Sequence, residues 1–271
     1  MRIRLIAVLM GLLILTGAFA GGKKDGPAQA YTIEVGGSTS VTPLMEIFAE
    51  EYQKEKSNIK ININGTGSGD GINNTGKLYQ IGMSSRELTA VEKGSGIKEV
   101  TIAIDGIAVI INNASPITNL TVEQIRNIYT GAITNWSQVS GGAKSGVIAV
   151  ISRESGSGTR GAFEELVGFQ GKLMAGATES TSTGAIKASI AQNPNAIGYI
   201  SLGSVDNTIK AISVGGVAST TGNVVNGSYK IARPFILMTG SNVHLESSAF
   251  INWILSPAGQ SIVKRSWIPV N

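Results

Sequence analysis

The sequence predicts an α/β protein with mostly parallel sheets flanked by helices, and three observations carry that expectation. Short apolar runs alternate with stretches of helical period along most of the chain, the pattern of strands joined by crossover helices. Three of those runs end in clusters of glycine, serine and threonine where a helical stretch begins. A chain of 271 residues with 35 glycines allows one large domain or two small ones, with many turns. No repeat of fixed period is visible.

The first residues stand apart from this pattern. Arg2 and Arg4 make a basic start, residues 5–15 an apolar stretch, and Ala18-Phe19-Ala20 an A-x-A cleavage site. Residues 1–20 are therefore expected to be a cleaved signal peptide and 21–30 a flexible N-terminus, which makes the product periplasmic or secreted. The chain has no cysteine, so no lipid anchor of the lipoprotein type is expected and stability must come from the core. Taking Arg2 and Arg4 from the 22 basic residues leaves 20 against 18 acidic ones, too even a balance to suggest nucleic acid as a partner. An anion would have to be held by local donors rather than by a global field.

The elements then follow in order. Residues 32–35 read as a strand and 43–56 as an amphipathic helix, with Leu44, Ile47, Phe48 and Tyr52 at helical spacing. Ile59, Ile61 and Ile63 alternate with polar residues as a strand, and residues 81–83 make a short one. Residues 102–111 hold two apolar runs around Asp105-Gly106. Residues 122–129, 158–166 and 185–191 read as helices, and 147–151, 196–200 and 231–238 as strands. Residues 249–255 and 258–263 close the chain with helix, and the polar tract 215–227 reads as a loop suited to linking two lobes.

The chemistry lies at the strand ends. The strand at 32–35 runs into Gly36-Gly37-Ser38-Thr39-Ser40, and the strand at 59–63 into Gly65-Thr66-Gly67-Ser68-Gly69-Asp70-Gly71. The strand at 147–151 runs through Arg153 into Gly156-Ser157-Gly158-Thr159. The first turn of a helix carries unpaired N–H groups and partial positive charge, so an anion can sit there, with glycine permitting close approach and hydroxyls adding donors. One such turn reads most simply as a capped helix. Three in one chain, one of them beside an arginine, point to an oxyanion site. Ser84-Ser85-Arg86-Glu87 is a further polar strand end, where Arg86 reads either as a salt-bridge partner of a carboxylate or as a second anion clamp.

Other chemistries find little support. GINNTGKL at 71–78 approaches a P-loop, but Leu78 replaces the hydroxyl that would hold magnesium. No G-x-S-x-G occurs, and His244, the single histidine, sits in a polar turn as a surface or capping residue. With no cysteine and one histidine, neither a metal centre nor a cofactor is expected. Trp136, Trp253 and Trp267 read as packing residues. A phosphate-ester hydrolase using a serine of the GSGT stretch is the enzymatic alternative, and it lacks an evident base.

Taken together and in order, GGSTSVTP, GTGSGDG, IGMSSREL, TGAITNW and SRESGSGTR resemble the phosphate-binding proteins of bacterial ABC phosphate transporters, from about Gly36 to the C-terminus. The resemblance implies a two-lobed periplasmic-binding-protein-like fold of type II with the ligand in a cleft between lobes. One lobe would span 31–110 and 230–271, the other 111–229. It implies phosphate-binding residues Ser38, Thr39, Ser40, Ser68, Arg153, Ser157, Gly158 and Thr159. Many members carry Ser-Asp where this chain has Ser84-Ser85, and that aspartate accepts the proton of the bound anion, selecting phosphate over sulfate. Asp70 and Asp105 are the carboxylates best placed in sequence to replace it, and Asp105, costly to bury unless paired, is preferred. Its alternative reading is a turn residue before Gly106. Ser84, Ser85, Arg86 and Asp105 thus join the expected phosphate site. The implied protein is not an enzyme. It is a monomer that captures inorganic phosphate and hands it to the membrane permease of an ABC phosphate transporter, with sulfate or molybdate as rival ligands.

Overall fold

The computed structural model describes residues 29–139 and 141–270, so the expected signal peptide and most of the expected flexible N-terminus lie outside the described residues. The first part of the chain runs β1 (Tyr31–Gly37), α1 (Thr42–Glu55), β2 (Ile59–Gly65), α2 (Ser68–Asn74), β3 (Ile81–Ser84), α3 (Ala90–Lys93) and β4 (Lys98–Ile111). The middle runs β5 (Asn119–Leu120), α4 (Val122–Tyr129), β6 (Ala149–Arg153), α5 (Gly158–Val167), β7 (Thr178–Ser180), α6 (Thr183–Gln192) and β8 (Ala196–Ser201). Then come β9 (Lys210–Ala211), β10 (Ser213–Val214), α7 (Thr221–Val225), β11 (Ala232–Thr239), α8 (Leu245–Leu255) and α9 (Pro257–Val263).

The principal sheet has the strand order β2-β1-β3-β11-β4-β8-β6-β7. β1 pairs in parallel with β2 and β3, and β6 in parallel with β7 and β8, so each end of the sheet is built from crossover units. Antiparallel pairing occurs in the middle, where β11 lies between β3 and β4 and β4 passes to β8. β4 changes partner along its length: up to Gly106 it faces β11, and from Ile107 to Ile111 it faces β8.

The apolar side chains divide at the same place. Ile33, Phe48, Ile102, Phe235 and Phe250 belong to one core, together with α1, α8 and α9. Ile107, Tyr129, Phe163, Tyr199 and Ile231 belong to another. Packing therefore changes hands between Ala103 and Ile107 on the way out, and between Ile231 and Phe235 on the way back. This is the two-lobed α/β fold, with β4 and β11 as the strands that join the lobes.

One alternative falls and one expectation is corrected here. A single 14-residue strand runs through Asp105-Gly106 and Asp105 is buried, so its alternative reading as a turn residue is set aside. The tract 215–227 is not the link between lobes, because α7 lies within it and Val217 and Val224 pack on the second core. Its polar composition reflects one exposed face, while spaced valines hold it down.

The parallel arrangement positions the site. β1, β2, β6 and β7 run parallel to their neighbours, and their C-terminal ends deliver Gly37, Gly65, Arg153 and Ser180 to the starts of α1, α2, α5 and α6. Ligands of open α/β sheets bind at such carboxyl ends. At the end of β1, Gly37 has φ 133°, and a Cβ there would lie 2.3 Å from the Met83 carbonyl oxygen, so the tight turn into Ser38 requires glycine.

Candidate anion-binding site

The strand-to-helix turns bring their hydroxyls to one point. Ser38 Oγ donates to Ser85 Oγ at 2.9 Å, and Ser85 Oγ lies 3.3 Å from both Ser68 Oγ and Thr159 Oγ1. Ser40 Oγ is 2.8 Å from Thr159 Oγ1. Ser38, Ser40, Ser68, Ser85 and Thr159 are all buried. Buried hydroxyls need partners, and these find them in one another across the lobe boundary.

Arg153 closes one side. It ends β6 with 2% of its surface exposed. Its Nη2 donates to Thr39 Oγ1 at 3.0 Å, and its Nε to the Ser180 carbonyl at 3.2 Å. Glu154 takes two 2.9 Å bonds from Arg153 Nε and Nη2. The backbone of Arg153 is held too, since its N–H donates to Tyr199 Oη, which also bonds Ser152 Oγ at 2.8 Å. Burial pushes the Tyr199 phenol up to about 12, so it stays protonated.

The hydroxyls are only partly spent on capping. Val41 caps α1 and Gly67 caps α2, neither through a side chain, so Ser38, Thr39, Ser40 and Ser68 are not the capping groups of those helices. Ser157 does cap α5, its oxygen accepting from the Arg160 N–H at 3.3 Å. Gly158 begins α5 so close to the first lobe that a Cβ would stand 2.4 Å from Ser68 Oγ and 2.9 Å from Ser85 Oγ. The Gly69 N–H also crosses the cleft, donating to the Gly156 carbonyl at 3.0 Å.

Of the expected residues, Ser38, Thr39, Ser40, Ser68, Ser85, Arg153, Gly158 and Thr159 are thus gathered together. Ser84 turns away, its Oγ donating to the Arg86 carbonyl at 2.9 Å. Arg86 is not brought into the hydroxyl cluster. Its two terminal nitrogens each bond Glu92 at 2.8 Å, the salt-bridge reading of that residue. That guanidinium, with the α3 start behind it, holds the Glu92 carboxyl from its ordinary 4.5 down to about 2. Asp70 is likewise directed elsewhere, accepting from Thr66, Asn74 and Tyr79. Asp105 lies behind the cluster, bonded to Arg233, Ser201 and the Gly203 N–H. Among these carboxylates, none directs an uncommitted oxygen at the hydroxyls.

Two residues escaped the sequence reading. Thr183, at the start of α6, lies 3.3 Å from Thr39 Oγ1 and 3.2 Å from Ser40 Oγ. Its signal was present, since Ser180-Thr181-Ser182-Thr183-Gly184 repeats the hydroxyl-glycine pattern before a helix, after a strand too short to notice. Arg233 donates from Nη2 to Thr159 Oγ1 at 3.0 Å. An arginine inside the apolar run 231–238 was its signal, because a charge at a core position needs a reason. Among the described residues no group of three or more His, Cys, Asp or Glu is placed to hold a metal. His244 caps α8 and stacks on Tyr31 at 3.9 Å, with no contact to the cluster.

The chain has relatives among known proteins. The PBP superfamily domain matches residues 23–258. A phosphate-binding protein PstS of Borreliella burgdorferi is 32% identical over 248 residues, covering 86% of this chain and 88% of that one. The chain belongs to the PstS family. A Clostridium perfringens protein, solved with bound phosphate and described as a phosphate ABC transporter substrate-binding protein, superposes with a TM-score of 0.86. It shares 45% identity, over 89% of this chain and all of that one. An ABC-type phosphate transport receptor from Vibrio cholerae gives 0.72 at 35% identity, over 88% of this chain. The family is one of substrate-binding proteins, not enzymes, which sets aside the hydrolase alternative.

Proposed function

We propose that this protein captures inorganic phosphate outside the cytoplasm and delivers it to the permease of an ABC phosphate transporter. The observation that carries the reading is the convergence of hydroxyls from both lobes beside the buried guanidinium of Arg153. Hydroxyls and a forked cation match the several acceptor oxygens of a tetrahedral oxyanion. The relatives named above support the choice of phosphate by their names, and one of them was solved with phosphate bound. Ligand entry would require the lobes to part about β4 and β11, a hinge closure. On this reading the lobes comprise roughly residues 31–105 with 233–270, and the segment between. The A-x-A signature supports export, and we propose that the exported form is a monomer.

Ser85 bears on which anion is bound. It stands where an aspartate acceptor is expected, and Asp70, Asp105 and Glu154 all have their oxygens engaged. A hydroxyl both donates and accepts, so Ser85 can accept a hydrogen bond from a protonated phosphate oxygen or donate one to an unprotonated oxygen. That favours a receptor for phosphate with weaker exclusion of sulfate. Calorimetric titration of the ligand-stripped protein with phosphate, repeated in excess sulfate, tests both points. Stoichiometric phosphate binding, reduced by sulfate, is expected. No phosphate binding in either buffer would end the reading.

A further inference from the structure

We propose that Arg233 is a second cationic positioning residue of the cleft, which fixes Thr159 as a donor toward the anion, with Asp105 governing how much of its charge the anion feels. The proposal rests on the phosphate reading above and goes beyond it by adding a charge pair in the strands that join the lobes.

The register of β11 against β4 sets Arg233 opposite Asp105 at the place where β4 leaves one lobe for the other. Both side chains are buried, at 3% and 1% exposure. Arg233 Nη1 contacts Asp105 Oδ2 and Nη2 reaches past it to Thr159 Oγ1, while the guanidinium lies over the Phe235 ring at 5.1 Å. A structural ion pair would account for the first contact alone. The second decides a proton. A guanidinium only donates, so Thr159 Oγ1 accepts from Arg233 and its own hydrogen must point away, toward Ser40 and Ser85. Arg153 does the same to Thr39 from the other side. Two arginines thus each set one threonine of the hydroxyl cluster as a donor.

The charges point the same way. Burial pushes the Arg233 guanidinium down against the opposing pull of Asp105, and the Arg153 charge adds a smaller push the same way, so the two cations feel one another across the cluster. An anion among the hydroxyls relieves that repulsion on both sides. Arg233 Nε is also buried without a partner, an arrangement that structural arginines avoid. Asp105 meanwhile ties the pair to the second lobe through Ser201 Oγ at 2.9 Å and the Gly203 N–H at 3.4 Å.

The test is phosphate titration of the full exported chain and its variants, with melting temperatures measured alongside. Arg233→Met should weaken phosphate binding at least about tenfold, and Arg233→Lys should recover part of the loss. Asp105→Asn should bind phosphate more tightly than the wild type, because it unmasks a cation. The double variant Asp105→Asn with Arg233→Met should regain thermal stability but not affinity, since it removes both buried charges. Parallel loss of affinity and stability in Asp105→Asn and Arg233→Met would reduce the pair to a hinge strut and overturn the proposal. If Arg233→Met does not fold, Arg233→Gln keeps a donor toward Thr159 without the charge; phosphate affinity within about twofold of wild type there would also overturn it. A wild-type protein that does not bind phosphate would instead remove the phosphate reading itself.

Discussion

Gly158 and Ser68 approach so closely across the cleft that a single added methyl group would overlap: a Cβ on Gly158 would stand 2.4 Å from Ser68 Oγ. Gly158 has no positive φ and begins a helix, so alanine there carries no backbone strain. Gly158→Ala should therefore leave melting of each lobe nearly unchanged while weakening phosphate binding by tenfold or more, because the lobes no longer close. Calorimetry and thermal melts on the same sample check this. Equal loss in both would mean that the glycine serves folding instead.

Arg153 is nearly fully buried and bonds Thr39 across the lobes. Arg153→Ala should cost about 2–5 kcal/mol of phosphate affinity, the range for truncating one member of a buried charged contact. Most of the change should appear in the dissociation rate, measured by stopped-flow release. Unchanged affinity would remove the site assignment.

Tyr199 links the aromatic core to this arginine. Its ring stacks on Phe163 at 4.0 Å, and its hydroxyl takes the Arg153 N–H at 3.2 Å. Tyr199→Phe keeps the ring and leaves that buried N–H without its acceptor, which should destabilise the fold by about 1–3 kcal/mol in denaturant titration. A neutral result would show that water replaces the hydroxyl.

The Arg86–Glu92 pair predicts a pH dependence. The folded carboxyl sits at about 2, below its ordinary 4.5, so the pair stabilises above pH 4.5 and its contribution is lost as pH falls toward 2. Glu92→Gln should lower the melting temperature near neutrality and converge with the wild type at the acid end of that window. Melting curves that stay parallel from pH 4.5 to 2 would assign the acid sensitivity to other carboxylates.

Much of the site could be read from the chain because its signal is local. Gly-Ser-Thr clusters after an apolar run specify a strand end, a turn and a helix start within ten residues, and Ser38, Thr39, Ser40, Ser68, Arg153, Gly158 and Thr159 all sit in such clusters. Thr183 carried the same pattern behind a three-residue strand that leaves almost no periodicity to detect.

The sequence by itself determined the alternation of strands and helices, the hydroxyl-bearing turns and the even charge balance. All three follow from propensities and periodicities that act within a turn or two of chain. The tertiary structure decided which polar strand ends meet. Arg86 satisfies its charge on Glu92, six residues away, whereas Arg233 finds Asp105 across 128 residues and Thr159 across 74. Whether an arginine pairs nearby or reaches into a cleft depends on which strands become neighbours. That is set by burying two apolar cores at once and not by any residue's immediate surroundings.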